Sequence, residues 1–150
     1  MGTVGLRNDG RSQCYMNAIL QCLFHSPPLR AVLLQSRNDV WLRINTRMRG
    51  SALAPPVAME LHSVMRRMWQ TATTTPWLVG PRALDPSEIR NALPRFAPTL
   101  RQGIQHDATE FLGRLLAALA RDFDVLDDAD HPYRVVSCLA RQPADTDKVR

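Results

Sequence analysis

Residues 8–23, NDGRSQCYMNAILQCL, join a polar loop to a strongly amphipathic helix, and Cys14 lies at the junction. Apolar residues follow at the i, i+3, i+4, i+7, i+8 spacing of one buried helical face: Met16, Ile19, Leu20, Leu23 and Phe24. Cys14 is therefore either a small buried residue or a nucleophile at the positive end of this helix, where unpaired backbone N–H groups stabilise a thiolate. From its position alone, the structural interpretation is the commoner one.

The composition predicts one ordinary globular domain in a reducing compartment. The chain has 150 residues, of which 45% are hydrophobic and 22% charged, and it has no apolar run long enough to span a membrane. Its first residues, MGTVGLRNDGRSQ, lack the apolar core of a secretory signal. The three cysteines, at positions 14, 22 and 138, have no CxxC spacing, which predicts free thiols, no metal site and no cofactor. We therefore expect an intracellular protein, cytoplasmic or nuclear.

The net charge of +5 could favour anionic partners. Arginines scattered along the chain carry the excess, and no run of Lys and Arg is long enough to define a nucleic-acid surface. A solvated basic surface without a nucleic-acid partner is the better interpretation.

The same helical periodicity predicts further helices and little strand. Ser26 and the prolines after it end the first helix and start a second, LRAVLLQ. A third helix runs roughly from Val57 to Trp69, and the connector TATTTPW follows at 71–77. Its buried face is formed by Val57, Leu61, Val64, Met65 and Met68.

Two later helices begin with a D-x-x-E signal. Asp85 and Glu88 form a capping box in DPSEIRNAL, with a proline at the first helical position. Asp107 and Glu110 open the best-defined helix, whose buried stripe is Ala108, Phe111, Leu112, Leu115, Leu116 and Leu119. After Asp122, an acidic loop, DFDVLDDADH, leads to a single strand, YRVVSCLAR, and a polar tail.

Two stretches of the chain resemble one enzyme family. Residues 5–30, GLRNDGRSQCYMNAILQCLFHSPPLR, resemble the Cys box of the ubiquitin-specific proteases, G-L-x-N-x-G-N-T-C-Y-x-N-x-x-L-Q, at Gly5, Leu6, Asn8, Gly10, Cys14, Tyr15, Asn17, Leu20 and Gln21. Residues 103–119, GIQHDATEFLGRLLAAL, are similar to that family's Q-Q-D-x-x-E-F-L-x-x-L-L box at Gln105, Asp107, Glu110, Phe111, Leu112, Leu115 and Leu116. The two boxes occur in the family's order and span about residues 5–120.

The resemblance implies a papain-like α+β cysteine protease that cleaves the isopeptide bond at the C-terminus of ubiquitin. Its partners would be ubiquitin or ubiquitinated proteins. The chain would correspond mainly to the helical thumb subdomain, over residues 1–122. Residues 123–150 would hold the acidic loop, one or two short strands near the C-terminus and the polar tail, resembling the start of the fingers. The palm and most of the fingers would be missing.

The resemblance also assigns roles to individual residues. Cys14 would be the nucleophile, and Gln105, Asp107 and Glu110 would bind the basic tail of ubiquitin, since arginines pair well with carboxylates. The residues themselves leave a second role open for Asp107 and Glu110, which is helix capping.

The loop before Cys14 departs from the family's pattern. Three residues separate Gly10 from Cys14, where the family has two. Counting forward from Gly5 makes Asn8 the side chain that stabilises the oxyanion, while another register would give that place to Asp9 or Gln13.

The catalytic histidine is a second departure, because the family's G-H-Y motif is not in the sequence. His25, His62, His106 and His131 are poor substitutes by position, so a second chain or segment would have to supply the base. Two hypotheses follow: a deubiquitinating cysteine protease present as its N-terminal half, or a catalytically inactive module that binds the ubiquitin tail or docks on another protein.

Overall fold

The computed structural model describes residues 4–8, 12–35, 55–74 and 83–124. The elements, in chain order, are β1 (Gly5–Leu6), α1 (Cys14–His25), α2 (Pro27–Gln35), α3 (Val57–Thr74), β2 (Ala83–Leu84), α4 (Ser87–Phe96) and α5 (Ala108–Asp124). The predicted class, mainly α, is confirmed. The strand predicted at 133–141, the polar tail and the end of the acidic loop lie outside the described residues.

One apolar core joins the five helices of the described ranges. Helix α1 packs on α2 and α5, and α3 packs on α2, α4 and α5. The largest fully buried side chains are Met16, Leu20, Leu33, Leu61, Met65, Met68, Ile89, Leu93, Phe111, Leu115 and Leu119. The stripes predicted for α1, α3 and α5 supply most of these residues, so the helical periodicity is confirmed where it was clearest.

Helix α3 is longer than predicted and ends at Thr74. The threonines after Trp69 suggested a connector because β-branched residues are poor helix formers. The hydroxyl of Thr73 instead donates to the carbonyls of Trp69 and Gln70, at 2.9 and 3.2 Å, and Ala72 is buried in the core. Tertiary packing therefore outweighs the weak local propensity.

The capping box predicted at the start of α4 is wrong. The residue before the helix is Pro86, and no side chain caps the first turn. The carboxylate of Asp85 binds the guanidinium of Arg90, and Glu88 pairs with Arg67 of α3. Both acids are thus engaged by arginines instead of by backbone N–H groups.

Two short strands place the chain before Cys14. Strands β1 and β2 are parallel, with Gly5 opposite Ala83 and Leu6 opposite Leu84. The backbone N–H of Arg7 continues the ladder by donating to the carbonyl of Leu84 at 2.9 Å. Residues 4–8 therefore run beside the segment that enters α4.

Asp122, near the end of α5, caps the start of a different helix. Its side chain is buried, at 5% exposure, and its Oδ2 accepts the backbone N–H of Ala58 in α3 at 2.8 Å. Burial raises the pKa of the Asp122 carboxyl above its usual value, although the N–H of Ala58 acts in the opposite direction. This contact fixes α5 against α3.

Replacing Asp122 with alanine leaves the N–H of Ala58 buried without an acceptor, so Asp122→Ala should lower the free energy of unfolding by about 1–3 kcal/mol. Asp122→Asn keeps an acceptor of the same shape and should stay within about 1 kcal/mol of the native chain. Urea unfolding of both variants measures the difference.

The contribution of Asp122 to the free energy of unfolding should fall as the pH rises. Because the folded-state pKa of Asp122 is raised, its contribution is greatest at low pH and is lost as the pH rises through that pKa. The asparagine variant cannot titrate, so its stability relative to the native chain should increase between pH 3.5 and pH 7. A constant difference over this range would contradict the burial of an ionisable carboxyl here.

Candidate active site

The thiol of Cys14 is open to solvent. Cys14 is the first residue of α1 and is exposed, while Met16 and Leu20 in the same helix are fully buried. The interpretation of Cys14 as a buried core residue is therefore wrong. Its sulfur lies at the helix end where backbone N–H groups lack helical acceptors, which favours negative charge.

The second cysteine of α1, Cys22, also lies on the surface. Helical geometry gives the reason, because Cys22 lies about 120° round the helix from Met16.

Gln105, a residue of the second box, contacts the sulfur of Cys14. Its Nε2 donates a hydrogen bond to Sγ of Cys14 at 2.9 Å, across 91 positions of sequence. Gln105 stands in the loop that leads into α5 and is exposed. Two residues singled out from separate motifs thus meet at one surface point.

An aromatic contact holds this loop against α1. The ring of Tyr15 is buried, and it meets His106 and Phe111 edge to face, with centroid distances of 5.4 and 5.7 Å. Burial raises the pKa of Tyr15, and the neighbouring Cys14 adds to the shift. Tyr15 is therefore a neutral packing residue that supports the contact between Cys14 and Gln105.

Asp107 caps α5, and helix capping is one of the two roles expected for it. Its Oδ1 accepts the backbone N–H of Thr109 at 2.6 Å, and the Thr109 hydroxyl also donates to it. These bonds, that of the hydroxyl first, lower the pKa of Asp107 below its usual value. The carboxylate is fully exposed, so it carries a negative charge beside Gln105 and His106.

Glu110 does not complete a capping box. Its Oε1 accepts a hydrogen bond from the hydroxyl of Thr99 at 3.3 Å, and its side chain is exposed. Asp107 and Glu110 therefore lie in the first turn of α5 on the protein surface, both within reach of solvent.

Two amide side chains of α1 bind the main chain on either side of β1. Nδ2 of Asn17 donates to the carbonyl of Arg7 at 3.0 Å, and Nε2 of Gln21 donates to the carbonyl of Val4 at 2.6 Å. Residues four apart lie on one face of a helix, so Asn17 and Gln21 bind two points of the same extended segment. The motif comparison marked both residues, but their role in holding β1 required the structure.

The three candidates for the oxyanion site have different positions. Asn8 is exposed and directly follows Arg7, whose carbonyl is bound to the first turns of α1. Gln13 is buried, and its Oε1 accepts a hydrogen bond from Arg90 at 3.4 Å. Asp9 lies outside the described residues. Arg90 was missed by sequence analysis, because nothing in its local pattern indicates a contact with Gln13.

No histidine in the described ranges is hydrogen-bonded to Cys14. Nδ1 of His25 contacts the carbonyl of Gln21 in its own helix at 2.8 Å. Nε2 of His106 lies 3.0 Å from the carbonyl of Arg101, so this nitrogen carries a proton. His62 is half-buried, and burial, then Arg66, lowers its pKa. His131 lies outside the described residues.

No described helix is both long and apolar enough to cross a bilayer. No group of three His, Cys, Asp or Glu side chains within residues 4–8, 12–35, 55–74 and 83–124 is placed to hold a metal ion.

The backbone turns sharply just before α1. Ser12 has φ = +52°, in the left-handed region that glycine tolerates best. The family's two-residue spacing is extended to three in this loop, and the strained residue falls within the extension.

Ser12→Gly relieves the strain but adds freedom to the unfolded chain, so the variant should lie within about 1 kcal/mol of the native chain, on the stabilised side. Ser12→Val, with its branched side chain, should lose about 1–2 kcal/mol. Thermal unfolding compares the two variants. Equal stability of the glycine and valine variants would contradict the left-handed turn.

Several known proteins are similar in sequence to this chain. A sequence profile of the family described as "Ubiquitin carboxyl-terminal hydrolase" matches residues 4–144. Ubiquitin carboxyl-terminal hydrolase 10 of Arabidopsis thaliana is 32% identical over 82% of this chain and 12% of its own length. Ubiquitin carboxyl-terminal hydrolase 2 of Homo sapiens is 35% identical over 79% of this chain and 17% of its own length.

A third relative, ubiquitin carboxyl-terminal hydrolase 21 of Bos taurus, is 28% identical over 99% of this chain and 26% of its own length. The chain thus spans between 12% and 26% of the length of these three relatives. The family profile covers nearly all of the chain, including both boxes and the contact between Cys14 and Gln105. The chain therefore belongs to the ubiquitin carboxyl-terminal hydrolase family.

Proposed function

We propose that this chain carries the nucleophile and part of the tail-binding surface of a deubiquitinating cysteine protease. The observation that supports this most is the contact between Cys14 and Gln105, because an exposed thiol at a helix start receives a hydrogen bond from the second family box. The amide of Gln105 and the free backbone N–H groups at the start of α1 both direct positive partial charge toward the sulfur.

In the proposed reaction, the sulfur of Cys14 attacks the carbonyl carbon of the C-terminal glycine of ubiquitin. The carbon–nitrogen bond to the lysine amine breaks, the amine leaves with a proton, and a thioester remains on Cys14. Water then attacks the thioester, which releases the ubiquitin carboxylate and restores the thiol. The proton transfers need a general base, which we assign to a histidine on a second chain or segment.

Asn8 is the oxyanion donor that we favour in this chain. Its neighbour Arg7 is bound to Asn17, and its own side chain is exposed. Gln13 is a weaker candidate, since its side chain is buried and engaged with Arg90. The N–H donors of Gln105 lie close to the same sulfur and could share this work.

Asp107 and Glu110 would receive the arginines of the ubiquitin tail. Both are exposed at the start of α5, and the bonds from Thr109 keep Asp107 ionised. Gln105, beside them, would contact the end of the tail next to the scissile bond. We assign residues 1–122 to the thumb subdomain on the same grounds and residues 123–150 to the region that follows it.

A catalytically inactive tail-binding module is the second candidate function. It is favoured by the hydrogen bond that the sulfur of Cys14 receives, which comes from Gln105 and not from a histidine of the described residues. In that case the exposed acids at the start of α5 would still bind the tail, while Cys14 would form no thioester.

A ubiquitin probe with an electrophile at its C-terminus separates the two functions. The native chain should form a covalent adduct, Cys14→Ala should form none, and Cys22→Ser should react like the native chain because Cys22 is not one of the matched positions of the Cys box. Asparagine is as good a helix cap as aspartate, so Asp107→Asn removes the charge without uncapping α5. The dissociation constant of that variant for ubiquitin should be about 3- to 10-fold higher than that of the native chain. Intact mass spectrometry and titration calorimetry measure the two effects.

If the native chain binds ubiquitin saturably but forms no adduct, the protease function is ruled out and the inactive module is supported. Absence of both binding and labelling would contradict both functions.

A further inference from the structure

Arg90 of α4 connects Asp85 to Gln13, the residue before Cys14. Its Nη1 and Nη2 lie 2.9 and 3.3 Å from Oδ1 and Oδ2 of Asp85, and its side chain is 13% exposed. A two-point pair of this kind fixes the plane of the guanidinium. Nη1 also donates to Oε1 of Gln13 at 3.4 Å, so Gln13 is bound to a donor that is itself held in place.

The backbone of Arg90 makes a second link, to the loop on the other side of the sulfur. Pro94 lies four residues further along α4 and has no N–H, so the carbonyl of Arg90 lacks its helical donor. Nε2 of Gln102 donates to this carbonyl at 3.1 Å. Gln102 stands three residues before Gln105, whose amide donates to the sulfur of Cys14.

We propose that Arg90 is a positioning residue, which holds Gln13 through its guanidinium and the Gln105 loop through its carbonyl, so that the amide of Gln105 stays on the sulfur of Cys14. The side chain of Arg90 donates to Asp85 and Gln13, its carbonyl accepts from Gln102, and none of these hydrogen bonds goes to Cys14. Its effect therefore passes through the contact between Cys14 and Gln105.

The proposal deepens the proposed function and rests on it for its meaning in catalysis. The alkylation of Cys14 by iodoacetamide tests the link without ubiquitin. Site-resolved mass spectrometry of the full 150-residue chain follows Cys14, and the exposed Cys22 of the same helix is an internal reference. Rates measured at pH 7 and pH 9.5 separate a change in thiolate content from a change in access.

Gln105→Leu should slow the alkylation of Cys14 at pH 7 by about 3- to 10-fold, with a smaller loss at pH 9.5, because the thiolate loses a donor. Arg90→Met keeps the length of the side chain and removes the donor to Gln13, while the carbonyl that accepts from Gln102 remains, so it should produce a smaller loss of the same kind. Gln102→Leu removes the second link. In the double variant, Arg90→Met should add nothing to Gln105→Leu, because both changes break one contact. Cys22 should react at its native rate in all three chains.

Arg95→Met is the matched control. Arg95 is on the same helix and pairs with Glu60 of α3, without touching Gln13 or Gln102. The control should leave the rate at Cys14 within about twofold of native, even where it lowers the melting temperature. A general loss of stability is thereby distinguished from loss of position.

Additive losses in the double variant, or an unchanged rate in a folded Arg90→Met chain, would overturn the proposal. Should Arg90→Met fail to fold, Gln13→Leu and Gln102→Leu each remove one link and leave the pair with Asp85 intact. Both must then slow Cys14 at pH 7 for the proposal to hold. If the ubiquitin probe fails on the native chain while these alkylation results stand, the proposed function is lost and the positioning role is kept.

Discussion

Two side-chain amides on one face of α1, from Asn17 and Gln21, hold the start of the chain in place. They donate to the carbonyls of Arg7 and Val4, which flank β1. A two-residue strand is too short to be stable through its ladder alone. Because Asn17 lies three residues after Cys14, the bond to Arg7 sets the point at which the main chain leaves β1 for the loop that returns to the nucleophile candidate. The position of Asn8 depends on this bond.

The opposite side of Cys14 is built from the loop before α5. The ring of Tyr15 packs on His106 and Phe111, and Gln105 then reaches the sulfur. The two helix starts stabilise negative charge in separate places, on the thiol at α1 and on the carboxylate of Asp107 at α5. The cap on α5 leaves the ionised carboxylate of Asp107 exposed, two residues after the Gln105 that donates to the sulfur. Cys14 thus lies between two fixed segments that are more than 90 positions apart in sequence.

Much of the helical fold could be predicted because its signals are local. The stripes of α1, α3 and α5 follow from a 3.6-residue period, which burial enforces directly. The start of α5 could also be predicted from the sequence, because Asp107 caps it. The capping box at Asp85 failed because Arg90 and Arg67 compete for its carboxylates, and the length of α3 was underestimated because Thr73 bonds back to its own helix. Strands β1 and β2 carry no pattern, since two residues are too few for alternation to appear.

The candidate site divides in the same way. Motif comparison found Cys14, Gln105 and Asp107, because each residue stands in a recognisable string. Motif comparison did not find Arg90, Gln102 and Pro94. Because Pro94 has no N–H, the carbonyl of Arg90 lacks its helical donor and accepts a hydrogen bond from Gln102 instead. Such long-range compensation leaves no local mark. The exposure of Cys14 likewise depends on how α1 meets α5.

Hydrogen exchange at the backbone N–H of Arg7 tests most directly whether α1 positions the entrance to the site. This N–H donates to the carbonyl of Leu84, so it should be protected in the native chain. In Asn17→Leu, exchange at Arg7 should accelerate by at least about tenfold, because the lost side-chain bond frees residues 4–8, while Leu61 in α3 should keep its native rate. Unchanged protection at Arg7 in a folded Asn17→Leu chain would contradict the account.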